Sequence, residues 1–139
     1  MSRAFNKYMV VVVSALFLLL SFSASADKSW IGLVSANGSK WEAMPGSFEF
    51  SKNKSDVPIA VLAGRIVSSK PAQIDLHKWY VTAGDCNNKM GKLITLSVSG
   101  EYQFENDFLF ESGNVASYIA KFICDVAEQS IKNADGKSL

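Results

Sequence analysis

The sequence predicts an α+β fold, an antiparallel sheet of about five or six strands with a C-terminal helix packed on one face and a single disulfide. Three observations predict it. Two segments, Gln73–Thr82 and Glu101–Glu111, alternate apolar and polar residues with the period of a half-buried strand. Val115, Tyr118, Ile119, Phe122, Ile123 and Val126 recur at spacings of three and four, the stripe of an amphipathic helix over about 115–131. The chain holds two cysteines, Cys86 in a polar loop and Cys124 in that helix.

The first residues set the compartment. Arg3 and Lys7 are the only charges before Asp27, Met9–Phe22 is apolar apart from Ser14 and Ser21, and Ala24-Ser25-Ala26 closes the segment. A charged start, a short apolar run and an A-x-A site make a cleavable signal peptide over 1–26. The apolar run is shorter than the about 20 residues a spanning helix needs, so no membrane insertion is expected after cleavage. Residues 27–139 then suffice for a single α+β domain, periplasmic or secreted, with a bacterial periplasm the expected setting. Removing the leader takes two of the 14 Lys+Arg and none of the 13 Asp+Glu, so the net charge passes from +1 to −1. A near-neutral chain lacks the concentrated basic surface that nucleic acid requires. Export places Cys86 and Cys124 where disulfides persist. Their bond would close a long loop, worth on the order of 3–4 kcal/mol.

Along the exported part, Trp30–Val34 reads as a strand and Asn37-Gly38 as a turn. Met44-Pro45-Gly46 interrupts the next stretch, and Ser47–Phe50 alternates briefly. Ser51–Asp56 is a polar loop. Ile59–Ala63 is a strand that Gly64 is expected to bend before Arg65–Val67. In Gln73–Thr82, Ile74, Leu76 and Tyr80 fall on one face and Trp79 and Val81 on the other. Gly84–Gly91 is expected as a loop, Lys92–Ser99 as a strand and Gly100 as a tight connection. In Glu101–Glu111, Tyr102, Phe104, Asn106, Phe108 and Phe110 are expected under the helix, meeting Tyr118, Ile119, Phe122 and Val126. Asn106 would then be the one polar group there needing a partner. Ser112 or Asn114 caps the helix, and the polar tail after Ile131 is expected to fray.

No pattern of residues carries catalysis. The one histidine, His77, lies in a predicted strand and reads as an ordinary strand residue. There is no G-x-S-x-G, H-E-x-x-H, P-loop or G-x-G-x-x-G. Two cysteines and one histidine fall short of the usual four zinc ligands. No catalytic residue, cofactor or metal is therefore expected, and the chain reads as a non-enzyme. Asn37-Gly38-Ser39 and Asn53-Lys54-Ser55 fit the N-glycosylation pattern, which matters only in a eukaryotic host. Trp30, Trp41 and Trp79 read as core, Trp41 as the most exposed. The charge pattern singles out one region: from Leu93 to Ala120 there is no Lys or Arg, while Glu101, Glu105, Asp107 and Glu111 occur. These four are the candidate partner-binding residues, on a solvated face or on a surface that docks a basic protein.

In the second half, a strand leads into Cys86, a hairpin follows, and Ser112-Gly113-Asn114 opens a helix reading from Val115 to Cys124. Over roughly residues 78–127 this resembles small exported bacterial proteins of the surface-adhesin E type. The resemblance implies a C-terminal helix stapled by a disulfide to an antiparallel sheet, and an adhesin-like binding function. Such adhesins are often lipoproteins, and no cysteine lies at the Ala24-Ser25-Ala26 site. No individual binding residue is carried over. The expected function is a non-enzymatic exported binding protein with a protein partner; the alternative is a periplasmic inhibitor or immunity protein that neutralises a basic enzyme such as a cell-wall hydrolase.

Overall fold

The structure, a computed structural model, describes residues 29–138; the expected signal segment lies outside them. Seven strands form one antiparallel sheet: β1 (Ile31–Ala36), β2 (Ser39–Ala43), β3 (Glu49–Lys52), β4 (Pro58–Ser69), β5 (Ala72–Thr82), β6 (Met90–Leu96) and β7 (Tyr102–Leu109). Two helices complete the described part, α1 (Ala83–Asn88) and α2 (Val115–Ser138). The sheet runs in the order β1-β2-β4-β5-β6-β7. The short β3 pairs with the first part of β4, beyond the stretch of β4 that β2 occupies.

Local chemistry sets the connections. Asn37 and Gly38 both take positive φ, 50° and 80°, as a tight hairpin between β1 and β2 requires. β4 runs unbroken through Gly64 for 12 residues, pairing with β3 before it and with β2 from it onward. Glycine is needed there for a packing reason. A Cβ on Gly64 would lie 2.3 Å from the Trp79 ring and 2.3 Å from the Glu42 carbonyl oxygen. Trp79, 2 % exposed, therefore lies against bare backbone.

Lateral pairing assigns the faces, because neighbours in register share one. The helix-covered face carries Ala43, Ala60, Leu62, Trp79, Val81, Leu93 and Phe108, which cluster with Ala116, Ile119, Ala120, Ile123, Cys124 and Ala127 of α2. Trp79 and Val81 fall opposite Ile74, Leu76 and Tyr80, as the alternation predicts. Trp30 and Trp41 are both half-buried, and Trp30 lies 4.1 Å from the Arg65 guanidinium.

The helix is rotated from its expected setting. Its buried line is Ala116, Ile119, Ala120, Ile123, Cys124 and Ala127, while Tyr118 is 51 % exposed and Phe122 and Val126 are half-buried. The alanines let the helix backbone approach a sheet already carrying Trp79 and Phe108, and Cys124 is turned inward by its bond to Cys86. The helix also continues to Ser138, past the point where the polar tail was expected to fray. Asn114 is the cap: its Oδ1 accepts the Ser117 N–H at 2.8 Å.

The expected Gly84–Gly91 loop contains α1 instead. Thr82 accepts the Asp85 N–H at 3.1 Å and caps it, Lys89 ends it at φ 60°, and Asp85 Oδ2 accepts the Lys92 N–H at 3.1 Å. This turn presents Cys86 to Cys124, 5.5 Å apart between Cα atoms in the disulfide.

β7 is as expected only in part. Phe108 is 3 % exposed and in the core, but Asn106 lies in solvent. A register shift between Thr95 and Leu96 sets Tyr102 against Leu96, so Tyr102 moves to the uncovered face. Phe104 keeps the helix-side register, opposite Thr95, but lies largely exposed.

Candidate functional site

The face that α2 leaves uncovered carries Ile59, Val61, Lys78, Tyr80, Lys92, Ile94, Leu96, Tyr102, Glu105 and Asp107 in register. Part of it is a groove of about 640 Å³. Its floor is Ile59 and Val61 from β4, Tyr80 from β5 and Leu96 from β6; the loop around Lys52–Ser55 and the turn Ser99–Tyr102 also line it. Ile59 and Val61 are only 6 % and 7 % exposed although the helix is on the other side of the sheet. The 52–55 loop is held by Asn53, whose Oδ1 accepts the N–H groups of Ser55 and Val57 at 2.9 and 3.0 Å. Ser97 Oγ accepts the Glu101 N–H at 3.1 Å and braces the turn at the other end.

Lys52, Lys54 and Lys78 bring positive charge to the groove, and Glu49 and Glu101 negative charge. Lys52 lies 3.6 Å from Asp56. Among the described residues, Lys54 and Lys78 make no ion pair. An apolar floor beside two cations without ion pairs suits a ligand with an apolar body and an anionic group.

The four candidate acidic residues do not form one continuous face. Glu105 and Asp107 stand together on the uncovered side of β7. Glu101 is in the turn before the strand, at the groove, and Glu111 is in the turn after it. A cation absent from the local sequence joins them from the neighbouring strand: Lys92 pairs with Asp107 and lies 3.9 Å from Glu105. The hydrogen bond and charge of Asp107, with a smaller part from Glu105, hold the Lys92 ammonium above the ordinary lysine range. Tyr102 donates its hydroxyl to Glu105 at 2.9 Å, and that bond first, with some desolvation, pushes the phenol's pKa up. The charge near β7 is thus a short network that carries more carboxylates than cations.

His77 is half-buried beside Trp79, with its Nδ1 buried and without a hydrogen-bond partner. Among the described residues, no three of His, Cys, Asp and Glu gather as a metal site would need, and no helix is long and apolar enough to cross a membrane. Comparison with protein families, curated proteins and solved structures finds no match to this chain.

The groove was not legible from sequence because its floor is drawn from three separate strands, with one or two residues from each. The one available signal was Ile74, Leu76 and Tyr80 alternating opposite the buried Trp79 and Val81, which marks a second apolar face on β5.

Proposed function

We propose that this chain is a non-enzymatic, exported binding protein of adhesin-like type, and that it holds a protein partner on the uncovered sheet face. The groove over Ile59, Val61, Tyr80 and Leu96 is the observation that carries this reading. A sheet with one face sealed by a helix and the other open, with an apolar groove floor, has surface left for a partner. Lys54 and Lys78 fit a partner segment with an anionic side chain or terminus beside its apolar residues. Export is supported by the composition of residues 1–26 and by a disulfide of the kind that persists in oxidising compartments.

Site-specific photo-crosslinking in the producing cell tests the reading. A photoreactive residue at Leu96 should form one defined protein adduct, while one at Lys121, exposed on the outer side of α2, should not. No adduct from Leu96, or equal adducts from both positions, would remove the groove as the binding surface.

A further inference from the structure

The sheet ends at β7, and its backbone shows which of that edge's groups are free. Phe110 donates its N–H back to Lys89 O at 3.1 Å, on the β6 side, whereas Leu109 donates its N–H outward to Ser117 Oγ at 3.0 Å. In an antiparallel strand each residue aims its N–H and C=O to one side, and the side alternates along the chain. Glu105 and Asp107 share the parity of Leu109, so their N–H and C=O groups point away from the sheet. Leu109 itself is occupied, since its carbonyl accepts the Ser112 N–H at 2.9 Å. The open stretch is thus bounded by the helix entry at one end and by the register shift opposite Thr95 and Leu96 at the other.

Edge strands are usually blunted by charged side chains, lysine above all, by proline, by a bulge, or by being very short; on β7 the charges are all acidic and the bulge lies at its first residues. β7 has eight residues, and from Glu101 to Glu111 there is no Lys, Arg or Pro. Phe104 lies exposed on this stretch. Glu105 and Asp107 lie on the stretch and Glu101 and Glu111 in the turns at its ends, with Lys92 offsetting part of the charge of Glu105 and Asp107. We propose that the β7 edge between Phe104 and Phe108 is a strand-addition site for an extended segment of a partner protein with Lys or Arg at alternate positions. The free amides and carbonyls of Glu105 and Asp107 supply the ladder, and their carboxylates select cationic side chains on the same face. A second copy of this chain fits badly, because two β7 strands pairing antiparallel about their centre would set these carboxylates against one another. The inference shares with the groove reading only the premise that the protein binds a partner. Loss of the Leu96 adduct would leave it standing, and failure of the test below would leave the groove standing.

The test is an amide NMR titration of the purified protein with a short synthetic peptide alternating lysine and valine. A glutamate–valine peptide serves as control. The lysine peptide should shift the amides of Glu105 and Asp107 and slow their hydrogen exchange, and the glutamate peptide should do neither. Asp107→Pro removes one outward N–H along with the carboxylate that pairs with Lys92, leaves the backbone hydrogen bonds to β6 in place, and should weaken binding about tenfold or more. Glu105→Pro repeats the test at the other free position. Asp107→Asn keeps the N–H and should weaken binding less while lowering its salt dependence. Shifts confined to the groove or to α2, equal binding of both peptides, or no change in exchange at Glu105 and Asp107 in the unaltered protein would each overturn the proposal. Concentration-dependent shifts of these two amides in the protein alone would assign the edge to a second copy and overturn it equally.

Discussion

Gly64 and Trp79 fit closely in the core. Any side chain at position 64 would meet the indole and the Glu42 carbonyl. Gly64→Ala should therefore destabilise the fold by about 1–3 kcal/mol, read as a lower urea midpoint with unchanged slope. Phe108→Ala should cost about 3–5 kcal/mol, and Glu105→Ala, on the solvated side, under about 0.5 kcal/mol. Period-two alternation was enough to place Phe108, Trp79 and Val81. It misplaced Tyr102 because one residue of register shift reverses the face of everything beyond it. It also missed Lys92, whose pairing with Asp107 joins residues on different strands. The resulting attraction is present below the ordinary lysine pKa and fades as pH rises through the raised value of the folded protein. In an NMR titration the Lys92 side chain should deprotonate above the ordinary lysine range, and Asp107→Asn should bring it back down.

Elements were more legible than their orientations. The apolar spacing from Val115 to Val126 identifies a helix, yet a stripe of large residues does not decide which line of it is buried. Here the line of Ala116, Ala120, Cys124 and Ala127 wins with Ile119 and Ile123, because small side chains allow close approach to Trp79 and the disulfide fixes the rotation. Tyr118 is left in solvent as a result. The α1 turn carried a readable signal, Thr82 followed three residues later by Asp85, which is an N-cap pattern inside an apparent loop. Since this turn and α2 are joined covalently, Cys124→Ser should cost about 2–5 kcal/mol in thermal or urea unfolding. Unreduced protein should have a mass about two hydrogens below that of the reduced form. Two free thiols in the native protein would contradict the bond.

At the scale of the whole molecule, the antiparallel sheet, C-terminal helix and Cys86–Cys124 bond could all be read in advance from local periodicity and cysteine count. The groove could not, since it exists only once β4, β5 and β6 lie side by side and the loops at 52–55 and 99–102 come together beside them. That uncovered face is the centre of the functional account, and a matched pair of substitutions on opposite sides of the molecule tests it most directly. Leu96→Glu puts a charge on the groove floor; Tyr118→Glu puts one on the exposed side of α2. Both proteins should be checked for native circular dichroism and cooperative unfolding, and then compared for the partner adduct formed by a photoreactive residue at Tyr80. The account predicts that Leu96→Glu abolishes the adduct and Tyr118→Glu leaves it intact. An adduct that survives Leu96→Glu but is lost with Tyr118→Glu would place binding on the helix side and contradict it.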